Sequence, residues 1–280
     1  MKRAKRTLAI LTLALAGCQG SIVPAEPTPT LSTIRLLVEP STATLWQNLA
    51  AAYRPSHTII AWQIDTLDWD TISIRLGKGR APFAMTSYLP TDSSLWATPI
   101  GYDALALIVN AANPVKTLSP AQLRALFSGQ VIDWHDLGGA VLPVLPISRP
   151  AGSSDGALFH DRVLGDLPVT GAARLALSAG QVIDTVRSTP GALGYVPLSA
   201  LTGSAPPAGV RIVPIDNVLP NAENITSGRY GLRSTVVFCG DQAPGDDQYR
   251  AFFAWVQSPA GQAIVAARIA PLQPLPITSP

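Results

Sequence analysis

Short apolar runs recur along this chain with room for one helix between successive runs, and that alternation limits the fold more than any other feature. The runs at 34–38, 59–63, 82–86, 104–109, 141–147, 194–197, 210–215 and 235–239 read as strands. Between and after them lie helical stretches at 44–53, started by Ser41 or Thr42, and at 157–164, 249–256 and 259–267. Ser119-Pro120-Ala121-Gln122 is a compact helix start, with a serine cap, proline in the first turn and a glutamine able to reach back. That helix is expected to stop at Ser128-Gly129. Strands alternating with helices mean an α/β protein with largely parallel sheets. No internal repeat is visible, and the proline-rich end at 272–280 reads as irregular.

The first residues are Met-Lys-Arg-Ala-Lys-Arg, followed by an apolar run from Thr7 to Ala16. A basic start and a short apolar stretch make a secretory signal, and the run is about half the ~20 residues that cross a bilayer. Leu15-Ala16-Gly17-Cys18 resembles the bacterial lipobox, in which the cysteine is diacylated and becomes the first mature residue. Residues 1–17 are therefore expected to be removed and Cys18 to carry the lipid. Acyl chains hold by about 0.8 kcal/mol per buried methylene, so two or three chains anchor stably. Residues 18–32, marked by Pro24, Pro27 and Pro29, read as a tether that cannot build a core. The one other cysteine, Cys239, sits in an apolar strand and has no partner for a disulfide. Without Lys2, Arg3, Lys5 and Arg6 the chain holds 16 basic against 18 acidic residues, which argues against nucleic acid as a partner.

The most informative stretch runs from Ile147 to Phe159, Ile-Ser-Arg-Pro-Ala-Gly-Ser-Ser-Asp-Gly-Ala-Leu-Phe. An apolar strand enters a Gly/Ser turn that opens a helix, so backbone N–H groups and hydroxyls converge on one point with the helix dipole behind them. Arg149 lies four residues before Ser153 and can supply a charged bidentate donor to the same point. A plain strand-to-helix turn with a surface arginine would look the same in sequence. Gly152-Ser153-Ser154-Asp155-Gly156 also fits the G-x-S-x-G nucleophile elbow, which would make Ser154 a hydrolase nucleophile. Its base would have to be a histidine. His57 and His135 precede the serine, and His160 follows on the same helix about 9 Å along the axis. Scattered histidines and one unpartnered cysteine give no zinc spacing. The cluster Asp65, Asp68 and Asp70 lacks the glycine and glutamate of a calcium loop. Trp62, Trp69, Trp96 and Trp134 read as packing residues. No cofactor is expected.

Further fragments carry a resemblance. They are Pro99-Ile-Gly-Tyr-Asp-Ala-Leu-Ala-Leu-Ile-Val-Asn110, Asn113-Pro-Val, Leu118-Ser-Pro-Ala-Gln-Leu, Leu126-Phe-Ser-Gly129 and Trp134, then Pro190-Gly-Ala-Leu-Gly-Tyr-Val196, Ile225-Thr-Ser-Gly-Arg-Tyr-Gly-Leu232 and Phe253-Ala-Trp-Val-Gln-Ser-Pro-Ala-Gly-Gln262. In this order and spacing the chain resembles the phosphate-binding component of Pst-type ABC transporters. The resemblance implies a two-lobed periplasmic-binding-protein fold with two chain crossings as hinge, one lobe at 33–102 plus 198–280 and the other at 103–197. It implies an exported, membrane-held monomer that captures a small oxyanion, phosphate foremost, and passes it to permease subunits without catalysing a reaction.

In that family an arginine and a Gly-Ser-Gly-Thr turn hold the phosphate. Arg149, Gly152 and Ser153 match, whereas Ser154 and Asp155 depart. Asp155 either caps the helix or accepts a proton from a protonated oxyanion. Ser41 and Thr42 stand for the family's first loop, Thr71 for its second and Ser87 for its third. Glu39-Pro40 adds a charge there and removes a donor, and Ser87-Tyr88-Leu89 lacks a charged contact. A sensor or surface interaction protein on the same scaffold, with an altered anion site, stands as the alternative.

Overall fold

The computed structural model describes residues 30–55, 58–79, 81–201 and 206–272. Cys18, expected to carry the lipid, the expected signal at 1–17, most of the expected tether, His57 and the end at 273–280 lie outside the described residues. Strand β1 (Thr30–Val38) begins four residues before the expected start of the fold at Ile34. It pairs in parallel with β2 (Thr58–Thr66) and β3 (Ala84–Thr86), and helix α1 (Ala43–Ala52) connects β1 to β2. Helix α2 (Trp69–Gly77), which the sequence reading left as loop, leads from β2 towards β3.

The strand after β3 decides the architecture. The sequence suggested a strand at 104–109, but β4 runs unbroken over Trp96–Asn110. Its first part, Trp96–Ala104, pairs antiparallel with β9 (Arg233–Gly240), with a bulge between Pro99 and Gly101. Its second part pairs with β7 (Ala192–Pro197) and with β8 (Val210–Ile212). Strand β5 (Leu145–Ser148) adds to β7 in parallel, and β6 (Arg174–Leu175) to β5. The short β10 (Ala270–Pro271) returns to the start of β4. The order is β2-β1-β3-β9-β4-β7-β5-β6, an α/β fold of two lobes joined through β4. Parallel pairing occupies the outer strands, and antiparallel pairing occupies the junction.

The chain passes between lobes within β4 and again just before β9. The two passages are tied together: Leu105 N–H donates to Leu232 O at 2.9 Å, and the Tyr230 hydroxyl donates to Leu105 O at 2.9 Å. Residues 210–212, expected with the first lobe, instead pair as β8 with the second half of β4, because Val210, Arg211 and Ile212 lie opposite Asn110, Val109 and Ile108.

Alternation along the strands fills distinct cores. The short helix α6 (Ala222–Thr226) precedes β9, and beyond that strand Ile34, Leu36 and Val38 of β1 pack with α1, with the aromatic face of α7 (Asp247–Gln257) and with Val265 of α8 (Pro259–Ala266). Leu105, Leu107 and Val109 of β4 face α3 (Pro120–Ser128), and Ala106 and Ile108 face α5 (Ala179–Ser188). Cys239 is a buried free thiol whose pKa burial pushes up to about 12, so it stays protonated and inert. Among the described residues no helix is long and apolar enough to cross a membrane.

The start of α3 follows the sequence reading. Ser119 accepts from Gln122 N–H at 3.1 Å, Ser119 N–H donates to the Gln122 side chain at 2.8 Å, and Gly129 ends the helix at φ 80°. Ser119→Ala removes the cap and should cost about 1 kcal/mol, seen as a lower urea midpoint with unchanged slope.

Candidate functional site

Between the lobes lies a cleft of about 310 Å³. The first lobe contributes the 3-10 turn Pro40–Thr42, the start of α1 at Thr44 and Leu45, Val236 of β9, and Arg268-Ile269 after α8. From the second lobe come Arg149, Asp155, Leu177, the start of α5 at Ser178–Gly180, and Pro197, Ser199 and Ala200. Asp103, on β4 just before it changes partners, forms the back.

Arg149 follows β5. Its side chain is 8 % exposed, and its Nη1 donates to Ala176 O at 2.8 Å. Its Nε lies 3.5 Å from Asp155 Oδ2, near enough for charge attraction but without hydrogen-bond geometry. The loop then enters α4 (Ser154–Phe159), which continues as a π turn over His160–Leu164. Ser153 caps α4: its Oγ accepts from Gly156 N–H at 3.2 Å and donates to Pro150 O at 2.7 Å. The cap is therefore Ser153, and Asp155 does not hold that role. With Ser153 already satisfying the end, the Asp155 carboxylate is drawn to the guanidinium instead. Ser154 Oγ is buried and has no hydrogen-bond partner among the described residues.

Asp155 is one of three buried carboxyls here. Burial is the main cause that raises its pKa to about 6; Arg149 pulls it down and Asp103 pushes it up. Glu39, 1 % exposed, accepts from Ser87 N–H at 2.6 Å and from Ser87 Oγ at 3.2 Å. Burial outweighs these bonds and, with Asp155 adding repulsion, pushes Glu39 up to about 8. Burial also raises Asp103, although Ser199 Oγ donates to it at 2.5 Å and Ala104 N–H at 2.8 Å.

The sequence candidates divide accordingly. Ser41, Thr42, Arg149 and Asp155 line the cleft, and Ser41 Oγ is 3.2 Å from Ser87 Oγ. Thr42 Oγ1 is turned to Glu39 O and Met85 O. Gly152 and Ser153 lie in the turn between Arg149 and α4, Ser154 is the first residue of α4, and none of the three is part of the cleft wall. Thr71 is exposed on α2 and is absent from the cleft wall. Its neighbour Asp70 meets the other lobe: Asp70 N–H donates to Gly152 O at 3.2 Å, and a Cβ on Gly152 would lie 2.4 Å from Asp70 Oδ2. Tyr88, which takes the place of a charged residue, donates its hydroxyl to Asp161 across the lobes and packs edge-on against Trp69. Sequence reasoning missed Asp103, Ser199 and Arg268. Asp103 had a signal, an acid inside the apolar run from Tyr102 to Val109.

The comparisons with known proteins agree on the scaffold. The family model described as "PBP superfamily domain" matches residues 23–260. This chain belongs to the PBP superfamily. Within it, the chain is 33% identical over 129 residues to the phosphate-binding protein PstS of Bacillus subtilis, covering 46% of this chain and 41% of that one. It is 25% identical over 306 residues to PstS of Pseudomonas aeruginosa, covering 93% and 92%. The chain spans about 41% of the first of these relatives and 62% of PstS from Borreliella burgdorferi. Among solved structures it superimposes on a phosphate ABC transporter substrate-binding protein with bound phosphate from Clostridium perfringens, at TM-score 0.75 and 22% identity over 86% of this chain and 100% of that one. An ABC-type phosphate transport receptor from Vibrio cholerae gives TM-score 0.73 at 24% identity, with 86% and 100% coverage. Both share the fold.

The buried acids make stability depend on pH. Glu39 is about 8 folded against 4.5 as the ordinary value, and Asp155 about 6 against 3.8. Raised acids favour the folded state most when protonated, and that stability is lost as pH rises through the folded pKa. The thermal midpoint without added ligand should fall between pH 5 and pH 8.5, and Glu39→Gln should flatten the fall.

Proposed function

We propose that this chain is an exported solute-binding protein, anchored through Cys18, that captures an oxyanion between its lobes and delivers it to the permease of an ABC importer. Phosphate is the first candidate, and the protein performs no catalysis. One observation carries the reading. Among the described residues, Arg149 Nε and Ser154 Oγ are both buried without a hydrogen bond, and they stand at the two ends of the turn that joins β5 to α4, just after the strand and at the first helical position. An unpaired buried donor costs on the order of 1–3 kcal/mol, which an oxyanion reaching this turn would recover. The relatives whose names record phosphate binding support the same choice. Closure of the lobes would be the signal that the permease reads.

Asp155 shapes the selectivity. Ionised, it competes with the ligand for Arg149; protonated, it removes that competition and offers a donor. An oxyanion that brings a proton satisfies this site where a fully ionised one is repelled. A sensor or surface interaction protein on the same scaffold is the second reading. It is favoured by the Asp155–Arg149 pair, which already engages the anion-binding charge.

Equilibrium binding of radiolabelled phosphate to the purified chain tests the proposal. Arg149→Ala should weaken binding at least about thirty-fold; unchanged binding would remove the arginine from the site. In cells, Cys18→Ser should abolish palmitate labelling and release the protein from the membrane fraction.

A further inference from the structure

The cleft is larger and more apolar than an inorganic oxyanion requires. On the scale where one water needs about 10–15 Å³, its roughly 310 Å³ holds on the order of twenty waters or more. That volume reaches the lower bound of the ~300–1,000 Å³ typical of pockets for organic ligands. Arg149 and Asp155 occupy one region of the wall. Much of the remainder is hydrocarbon: Leu45, Leu177, Pro197, Val236 and Ile269. Leu177 is 68 % exposed, a large apolar side chain left at the lip of a cleft. The neighbouring acid is already supplied, since Asp103 accepts from Ser199 N–H, Ser199 Oγ and Ala104 N–H. The wall therefore asks for apolar contact and does not call for an ammonium group beside the anion.

The geometry points to an organic phosphoryl compound, a phosphate monoester or phosphonate with a small apolar substituent, as the ligand of this cleft. Its phosphoryl oxygens take Arg149 on the cleft wall, and its substituent covers Leu177 and the wall beyond. This rests on the anion-capture reading above and adds the part of the ligand that the arginine does not hold. Burying an apolar substituent against one leucine-sized patch is worth about ten-fold in affinity.

Titration calorimetry with inorganic phosphate, phenyl phosphate, phenylphosphonate and phenol, at one pH on the full mature chain, decides the matter. Phenyl phosphate and phenylphosphonate should bind at least about ten-fold tighter than inorganic phosphate, with phenol silent. Leu177→Ser, a change at an exposed position, should erase most of that preference, read as the ratio of the ester and inorganic phosphate affinities in the same variant. Inorganic phosphate binding as tightly as the esters would overturn the inference and leave anion capture standing. Binding by none of the phosphoryl probes would overturn both. A preference for the esters that survives Leu177→Ser together with Ile269→Ser would also overturn it, because the substituent would not be on this wall.

Discussion

Everything in this molecule depends on β4 changing partners halfway along its length. One strand of fifteen residues bonds to β9 in its first part and to β7 and β8 in its second, so the apolar residues of both lobes pack against a single backbone ladder. The strand cannot be broken at the junction without stranding buried N–H and C=O groups. The second passage, at Leu232, is hydrogen-bonded to the first at Leu105. Asp103 sits two residues before that switch, which places a buried carboxyl where the lobes meet.

The electrostatics of the cleft follow from this arrangement. Glu39, Asp103 and Asp155 come from separate parts of the chain, and folding buries all three, with Asp155 close enough to repel Glu39 and to be repelled by Asp103. Local donors hold Glu39 and Asp103, and the charge of Arg149 attracts Asp155, yet burial dominates, so Glu39 and Asp155 titrate well above the ordinary carboxylate range. A site with this balance differs from one lined only by neutral donors. The charge that any solute would meet there depends on whether protons are present on its own walls.

Local chemistry was the part legible in sequence. The capping box at Ser119 and Gln122, the stop at Gly129, the β5–α4 turn and the inert Cys239 all follow from residue type and spacing, because the forces concerned act within a few residues. The two-lobed fold was legible through resemblance. What escaped depends on long-range placement. The first half of β4 looked like a loop because Pro99 and Gly101 interrupt it, and a bulge absorbs the irregularity. Helix α2 was hidden by its aspartates. Thr71 was chosen by spacing, but the helix turns it outward and presents Asp70 to the other lobe. Capping was one of the two roles open to Asp155, since carboxylates suit that position; Ser153, two residues earlier, already fills it.

Where Asp70 meets Gly152 the two lobes touch backbone to backbone, with no side chain on the glycine between them. Anything larger than hydrogen at position 152 would act as a wedge against the Asp70 carboxylate, so the spacing of the two halves at this point rests on the smallest residue the chain can place there.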